Sequence, residues 1–411
     1  MRKRGTMTSD NQLERDCVIA GGGPAGMVLG YLLARAGLKV TVLEKHADFF
    51  RDFRGDTVHP STVTLLGELG LRGKFLQLPL TRLSTMDAVF DGQRITIADF
   101  RTLRGPDNFL VFAPQWDFLN FLAREAAAYP TFELRMSTEA TGLIVEQDQV
   151  RGVRAATADG GTEIRATLTV AADGRASNLR TAAGMTPDEF GVPIDVLWFG
   201  LPKPPDPPPV TLGYISSRGM VLTIDRGDRY QSGMVIRKGG FDELREAGLD
   251  ALRARITHAA PFLHPVVGTL TDWDQIKLLS VQINRLRRWY RPGFIAIGDA
   301  AHAMSPMFGV GVNFAIQDAV ALFNAIADDL AAGSAPVEKL AAVQRRREKP
   351  VKVIQLLQRN GHRAIARATT GSSIAPRWLI ALLRIFSPLL RRFTARFIGR
   401  GVRPEHVNLP A

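Results

Sequence analysis

Three glycines, Gly21, Gly23 and Gly26, form the pattern G-x-G-x-x-G directly after an apolar run. Gly21 permits a tight turn, Gly23 lets the backbone approach a pyrophosphate, and Gly26 lets the following helix pack on its strand. The helix N-terminus then offers free N–H groups and the positive end of a dipole to phosphate. Glu44, at the end of the next apolar run, is an acid at the distance where it accepts hydrogen bonds from ribose hydroxyls and repels a 2′-phosphate. Two later clusters add to this: Asp173-Gly174-Arg175, and Gly298-Asp299 followed by Gly309 and Gly311. Alone, Asp299 reads as a helix N-cap and Asp173 as a turn residue. Beside the first glycine pattern they read as a ligand site at the carboxyl edge of an α/β sheet. Gly309 and Gly311 open a helix whose bare backbone would let N–H groups approach a ring carbonyl and stabilise negative charge there.

The elements that must position these residues alternate between α and β. Residues 16–20 read as a buried strand, 27–36 as a helix stopped by Gly37, and 39–43 as a second strand, a βαβ unit. His59-Pro60-Ser61 starts a helix closed by Gly70, residues 85–98 form a hairpin turning at Asp91-Gly92, and 115–128 form an amphipathic helix. Strands recur over 132–170 and 194–236, the latter interrupted by a proline-rich loop at 202–209. Helix is expected over 242–258, a short strand over 294–297, and a long helix from about 311 to 330. The remainder reads as helical with breaks at Pro350, Pro376 and Pro388. The fold class expected is α/β: a Rossmann-type dinucleotide domain of three segments (1–75, 110–183 and 285–330) interleaved with a β-sheet substrate domain (76–109 and 184–284), plus C-terminal helices over 331–411.

Five runs together resemble the FAD-dependent monooxygenases related to para-hydroxybenzoate hydroxylase. They are GGGPAG with Glu44, FRGDTVHPST containing Arg54, PQWDFL containing Gln115, ADGRASNLR at 172–180, and FIAIGDAAHAMSPMFGVGVNFAIQDA at 294–319. The resemblance implies FAD as cofactor, Asp299 on the flavin ribityl chain, Arg54 and Gln115 at the pyrophosphate and ribityl regions, and Asp173 in a structural network. The cofactor set it implies is completed by Pro24, Ala25, Lys45, Gly298, Val310, Val312 and Asn313. Val310 departs from the glutamine that many members carry between the two late glycines. The resemblance also implies the reaction: NADH or NADPH reduces FAD, O₂ adds at flavin C4a, and the hydroperoxide delivers one oxygen atom. With one complete glycine pattern and no C-x-x-x-x-C pair, the nicotinamide cofactor is expected as a transient reductant.

Pro306 matches the family's proline beside the oxygen-bearing position, and Asp56 and His59 are candidates to gate or orient substrate; these three form the candidate catalytic set. His302 reads as structural rather than as a base. Trp198, Tyr214, Met220, Gln231, Met234 and Phe308 are candidates for a mostly apolar substrate wall, against ordinary core packing. The expected activity is hydroxylation or epoxidation of an aromatic or polycyclic organic substrate. An FAD-dependent reductase of the same fold, like geranylgeranyl reductases, and a non-catalytic flavin-binding protein stay open. The halogenase signature W-x-W-x-I-P is missing, and no zinc, P-loop or Ser-His-Asp constellation competes.

Composition fits this reading. The chain has 411 residues, 45% of them hydrophobic, enough for more than one lobe. Its single cysteine, Cys17, sits in an apolar run and reads as inert core. No apolar stretch follows the N-terminal charges, and no run of about 18 apolar residues occurs, so a cytoplasmic protein is expected. The net charge of +12 is spread along the chain without a nucleic-acid motif. Residues 378–398 interleave apolar residues with Arg384, Arg391, Arg392 and Arg396, which reads as a basic helix capping the FAD domain or as a weak membrane-surface contact. Oligomeric state stays open.

Overall fold

In the computed structural model, residues 13–50, 57–90, 92–209, 213–216, 219–368 and 387–408 are described. Short apolar runs rich in Val and Ile form a sheet buried on both faces, as parallel strands require. Its order is Tyr290–Arg291, Phe294–Ala296, Gly160–Ala171, Leu13–Ala20, Val40–Leu43, Phe132–Arg135. The last five run parallel, and a hairpin of Glu139–Glu146 and Gln149–Thr157 extends Gly160–Ala171 on one edge. The register sets Ala20 against both Ala171 and Leu43, and Ala171 against Ala296. Four strands therefore end at one level, and the residues that follow them are Gly21, Glu44, Ala172-Asp173 and Ile297-Gly298-Asp299. Two largely buried helices, Pro24–Arg35 and Gly311–Ala331, pack on each other against this sheet. The apolar stretch Met307–Ala331 is long enough to cross a membrane, but 72% of its apolar window is buried inside the protein, as expected of a core helix.

A second, seven-stranded sheet has the order Lys277–Leu279, Ile194–Pro202, Arg229–Arg237, Gly219–Asp225, Gly213–Ser216, Thr85–Phe90, Gln93–Asp99. It is antiparallel except where Gly213–Ser216 pairs with Thr85–Phe90. One face packs on helices Phe241–Ala247 and Leu249–Ala259, and the other on Phe308 and the C-terminal helices. The helix expected over 242–258 is thus two: Gly248 adopts φ +89°, outside the helical region, and divides them.

The C-terminal region corrects two expectations. Pro350 does not break its helix, which runs unbroken over Val337–Ala368. The ring removes one N–H from the ladder, but Val351 and Ile354 just beyond it are fully buried in the nucleotide-sheet core and hold the helix on course. Pro388 lies in the first turn of Ser387–Arg400, where its missing N–H costs nothing; Pro376 lies outside the described residues. This terminal helix does not chiefly cover the nucleotide sheet. It packs on Gln93–Asp99 and the turn Phe100–Thr102 of the second sheet, burying Ala395 and Ile398.

Candidate functional site

The glycines of the first motif separate by what a side chain would meet. A Cβ on Gly21 would lie 2.2 Å from the Ala172 carbonyl oxygen, and one on Gly26 2.0 Å from that of Gly21. These two glycines let backbone cross backbone. A Cβ on Gly23 or Gly311 would meet no atom within 4 Å. Gly23 is the N-cap of Pro24–Arg35, and Gly311 is the first residue of Gly311–Ala331. Two bare helix starts therefore face open space beside the level strand ends, as an anionic ligand with two electron-rich regions requires. Gly298 ties them together, its Cα side facing Ala25 at the start of one helix and Ala315 in the other. These residues fit FAD.

Glu44 projects from its strand end toward the first loop, where one carboxylate oxygen accepts from the Gly22 N–H at 3.0 Å. Asp173 is half-buried, desolvation raises its pKa, and it accepts from the Ser177 hydroxyl and the Leu179 N–H. It shapes the turn that presents Arg175. Arg175 Nε then donates to Asp299 at 3.0 Å and its Nη2 to the Met304 carbonyl, while Arg180 donates to the carbonyls of Ala300 and Arg175. The two late motifs are thus joined by an ion pair at the mouth of the site. Gln115 is the first residue of its helix and is half-buried, Lys45 is exposed, and Arg54 and Asp56 lie outside the described residues.

The turn leading to Gly311 is unusual. Phe308 and Gly309 both take positive φ, +70° and +62°. For Phe308 this costs about 1–2 kcal/mol, which the surroundings must offset. His59, read as a candidate catalytic residue, has no exposure, and both ring nitrogens face backbone carbonyls: Nε2 lies 2.8 Å from that of Gly309 and Nδ1 2.9 Å from that of Ile398, so the neutral ring donates to one of them and only the protonated ring to both. Burial lowers its pKa against the opposing pull of the two carbonyls. It clamps the turn and leaves no nitrogen for substrate. Asn313 likewise turns its side chain away from the open space, its Oδ1 accepting from Ser61 and Thr62 at 2.8 Å each. Val310 is buried, and Pro306 and Val312 are half-buried.

Of the six proposed wall residues, the strand alternation places Trp198, Met220 and Gln231 on the face toward Phe308. Trp198 packs over Gly233, and Gln231 accepts from Arg226. Tyr214 and Met234 point to the opposite face, where Tyr214 lies against Phe262, ring centroids 4.8 Å apart. They belong to core under the helices, and their assignment to the wall is corrected.

Sequence reasoning passed over Asp318. It sits fully buried in Gly311–Ala331 and accepts from the Gly298 N–H (3.1 Å), His302 Nε2 (2.6 Å) and Arg347 Nε (2.9 Å). Arg347 also donates to Glu405, which holds Arg346. The signal in the sequence is an acid inside the largely apolar run 314–323 of a helix that otherwise carries its acids, Asp328 and Asp329, near its end, at the close of the last of the five quoted runs.

A Rossmann-type sheet with two helix N-termini facing one level edge, covered by a second sheet, defines a dinucleotide-binding protein of the α/β class. A family model described as "FAD binding domain" matches residues 14–356. The chain is 32% identical over 334 residues to 6-methylpretetramide 4-monooxygenase of Streptomyces rimosus, covering 81% of this chain and 80% of that one. It is 29% identical over 322 residues to dialkyldecalin synthase of Streptomyces rugosporus, covering 74% and 63%. Among solved structures, OxyS anhydrotetracycline hydroxylase from Streptomyces rimosus superposes with a TM-score of 0.76 at 24% identity, over 94% of this chain and 76% of that one, a likeness of fold. The chain belongs to this FAD-binding family and is an FAD-dependent oxidoreductase of its monooxygenase branch.

Proposed function

We propose that the protein inserts one atom of O₂ into an aromatic, polycyclic substrate, by hydroxylation or epoxidation, with NADH or NADPH as reductant. The observation that carries this reading is the apolar face of the second sheet, where Trp198, Met220, Leu222 and Val235 form one cluster with Phe308 of the turn that precedes Gly311. Such a face binds a large flat apolar molecule and excludes water. The similarity to an enzyme named as a 6-methylpretetramide monooxygenase supports an aromatic polyketide as the substrate class. When bound, the flavin accepts two electrons from the nicotinamide and activates O₂. The chain's share is to orient and to stabilise charge: Asp299 toward the ribityl hydroxyls, Glu44 toward the ribose, and the N–H groups of Val310 and Gly311 toward the ring, since that of Gly309 already donates to the Pro306 carbonyl at 2.9 Å. Anaerobic flavin reduction by NADH or NADPH, followed by ¹⁸O₂ exposure with a panel of aromatic polyketides, tests it; one ¹⁸O atom per product is expected. Reduction of a substrate alkene without O₂ would instead select the reductase reading.

Two variants test the placement of the cofactor. Asp299→Ala removes charge-assisted hydrogen bonds of about 1.5–3 kcal/mol, so FAD affinity is expected to fall on the order of ten- to a hundredfold in a fluorescence titration. The ion pair with Arg175, about one-third exposed on each side, adds little of its own. Gly311→Val places a side chain where no protein atom lies within 4 Å. The fold is expected to be intact and the flavin reduction potential lowered, because the ring is pushed from the helix N-terminus that stabilises its anion. Wild-type values in both variants would remove the flavin from this site.

The terminal helix exposes Leu389, Leu390 and Phe393 beside the exposed Arg392 and Arg396. This combination supports a weak contact with an anionic membrane surface. Co-sedimentation with phosphatidylserine vesicles, absent with phosphatidylcholine and lost in Phe393→Asp, is expected. Equal recovery of wild type and Phe393→Asp would exclude the contact.

A further inference from the structure

We infer that the last third of the helix Val337–Ala368 is a positioning element of the oxygenation site: Gln358 and His362 lock the turn from Ser305 to Phe308, and Ile365 extends the apolar wall beside it. The inference rests on the reading above that this turn lies at the flavin ring. Both polar residues lie past residue 356, where the match to the family model ends.

One glutamine holds three backbone groups on either side of Pro306. Gln358 Nε2 donates to the carbonyls of Ser305 and Met307, each at 3.0 Å, and its Oε1 accepts from the Ser305 N–H at 3.2 Å. One helical turn on, His362 Nε2 shares a 2.6 Å hydrogen bond with the Ser305 hydroxyl, which also accepts from the Met307 N–H at 3.1 Å. Ser305, Gln358 and His362 are each 1% exposed or less, so water cannot replace these bonds. Burial lowers the His362 pKa to about 4, which keeps the ring neutral at ordinary pH. Gly361 permits the approach, since a Cβ there would lie 2.8 Å from the Met307 sulfur. Ile365, one turn further, joins the cluster of Trp198, Met220 and Phe308.

The consequence is mechanical. Phe308 is held in a left-handed conformation that persists in a residue with a Cβ only when its surroundings over-determine it, whereas Gly309 at φ +62° adopts it freely. Gln358 fixes the entry to Phe308, and His59 lies at the exit of the turn against the Gly309 carbonyl. Together they set where the N–H groups that open Gly311–Ala331 point. A helix far along the chain therefore sets both the electrostatics at the ring and one edge of the substrate wall.

The test is dye-equilibration potentiometry and visible circular dichroism of the FAD-bound protein in Gln358→Met, which keeps size and removes all three bonds. FAD is expected to stay bound, because the glycine loop at Gly23 is untouched. The two-electron equilibrium is expected to shift about tenfold toward the oxidised flavin, equivalent to about 30 mV, with an altered flavin dichroism. Gln358→Glu, which replaces the amide N–H₂ facing both carbonyls by a buried carboxyl able to donate to one of them at most, is expected to shift it in the same direction. A lowered melting temperature with wild-type potential and dichroism in these variants would reduce the contact to packing and overturn the inference. Should neither fold, Ser305→Ala removes only the His362 and Met307 bonds; a smaller shift of the same sign is expected, and none overturns the inference. If Gly311→Val lowers the potential while Gln358→Met does not, the clamp alone fails. If neither does, the placement of the ring fails first.

Discussion

Gly23→Val is expected to give a folded protein that no longer retains FAD, and Gly26→Val a protein that loses several kcal/mol of stability. The two residues stand three apart in one motif, and the structure separates their roles. Gly23 has φ −73° and ψ −177°, which any residue adopts, and a side chain there meets no atom within 4 Å. Valine therefore leaves the fold without strain but fills the space through which a pyrophosphate reaches the helix N-terminus. Losing two charge-assisted hydrogen bonds at about 1.5–3 kcal/mol each weakens binding by at least a hundredfold. At Gly26 the new Cβ would lie 2.0 Å from the Gly21 carbonyl oxygen and 3.2 Å from Ile19. Backbone must move in the centre of the sheet, an overpacking of about 1–3 kcal/mol or more against a total stability of about 5–15 kcal/mol. Far-ultraviolet dichroism, urea unfolding and FAD titration on both variants check this. Retention of FAD by Gly23→Val at wild-type affinity would mean that the phosphates lie elsewhere.

The nucleotide half was legible because its signals are local. Buried parallel strands read as short β-branched runs, and the residues after them carry the chemistry, so Gly21, Glu44, Asp173 and Asp299 stood out before their strand ends were seen to be level. The substrate wall was harder for a physical reason. Both faces of the second sheet are apolar, one under helices Phe241–Ala247 and Leu249–Ala259 and one toward Phe308. Hydrophobicity alone then cannot assign a face, and Tyr214 and Met234 were placed on the wrong one. Pro350 misled because a local rule was overridden by the packing of Val351 and Ile354. The clamps were invisible for another reason. Gln358 and His362 are polar residues on a long helix, where solvent is the default partner, and their partners lie about fifty residues upstream. His59 announced a helix start, but its second partner, the Ile398 carbonyl, is 339 residues away.

Asp318→Ala is expected to cost about 3–5 kcal/mol, the range for breaking a buried charge cluster by removing one partner. His302 and Arg347 would be left facing a cavity at 2% exposure or less, with Glu405 the one acid still touching Arg347. Burial by itself raises the Asp318 carboxyl pKa, but the nearby His302 and Arg347 outweigh it and hold it below the ordinary value. A depressed folded-state pKa stabilises the fold above the unfolded value of about 3.9, and that contribution is lost as pH falls through the folded value. The acid limb of stability should therefore lie below about pH 4 for this group and be missing in Asp318→Asn. Asparagine serves a second purpose: its amide oxygen can still accept from the Gly298 N–H, so the turn that carries Asp299 keeps its anchor. FAD affinity is expected to stay within a fewfold of wild type in Asp318→Asn and to fall in Asp318→Ala, where the anchor is gone. Urea midpoints between pH 3 and 7, together with FAD titrations of both variants, separate the charge from the anchor. A loss under about 1 kcal/mol in Asp318→Ala, well short of the buried-pair range, would show that His302 and Arg347 find other partners and that the cluster is not what holds the Gly298–Asp299 turn in place.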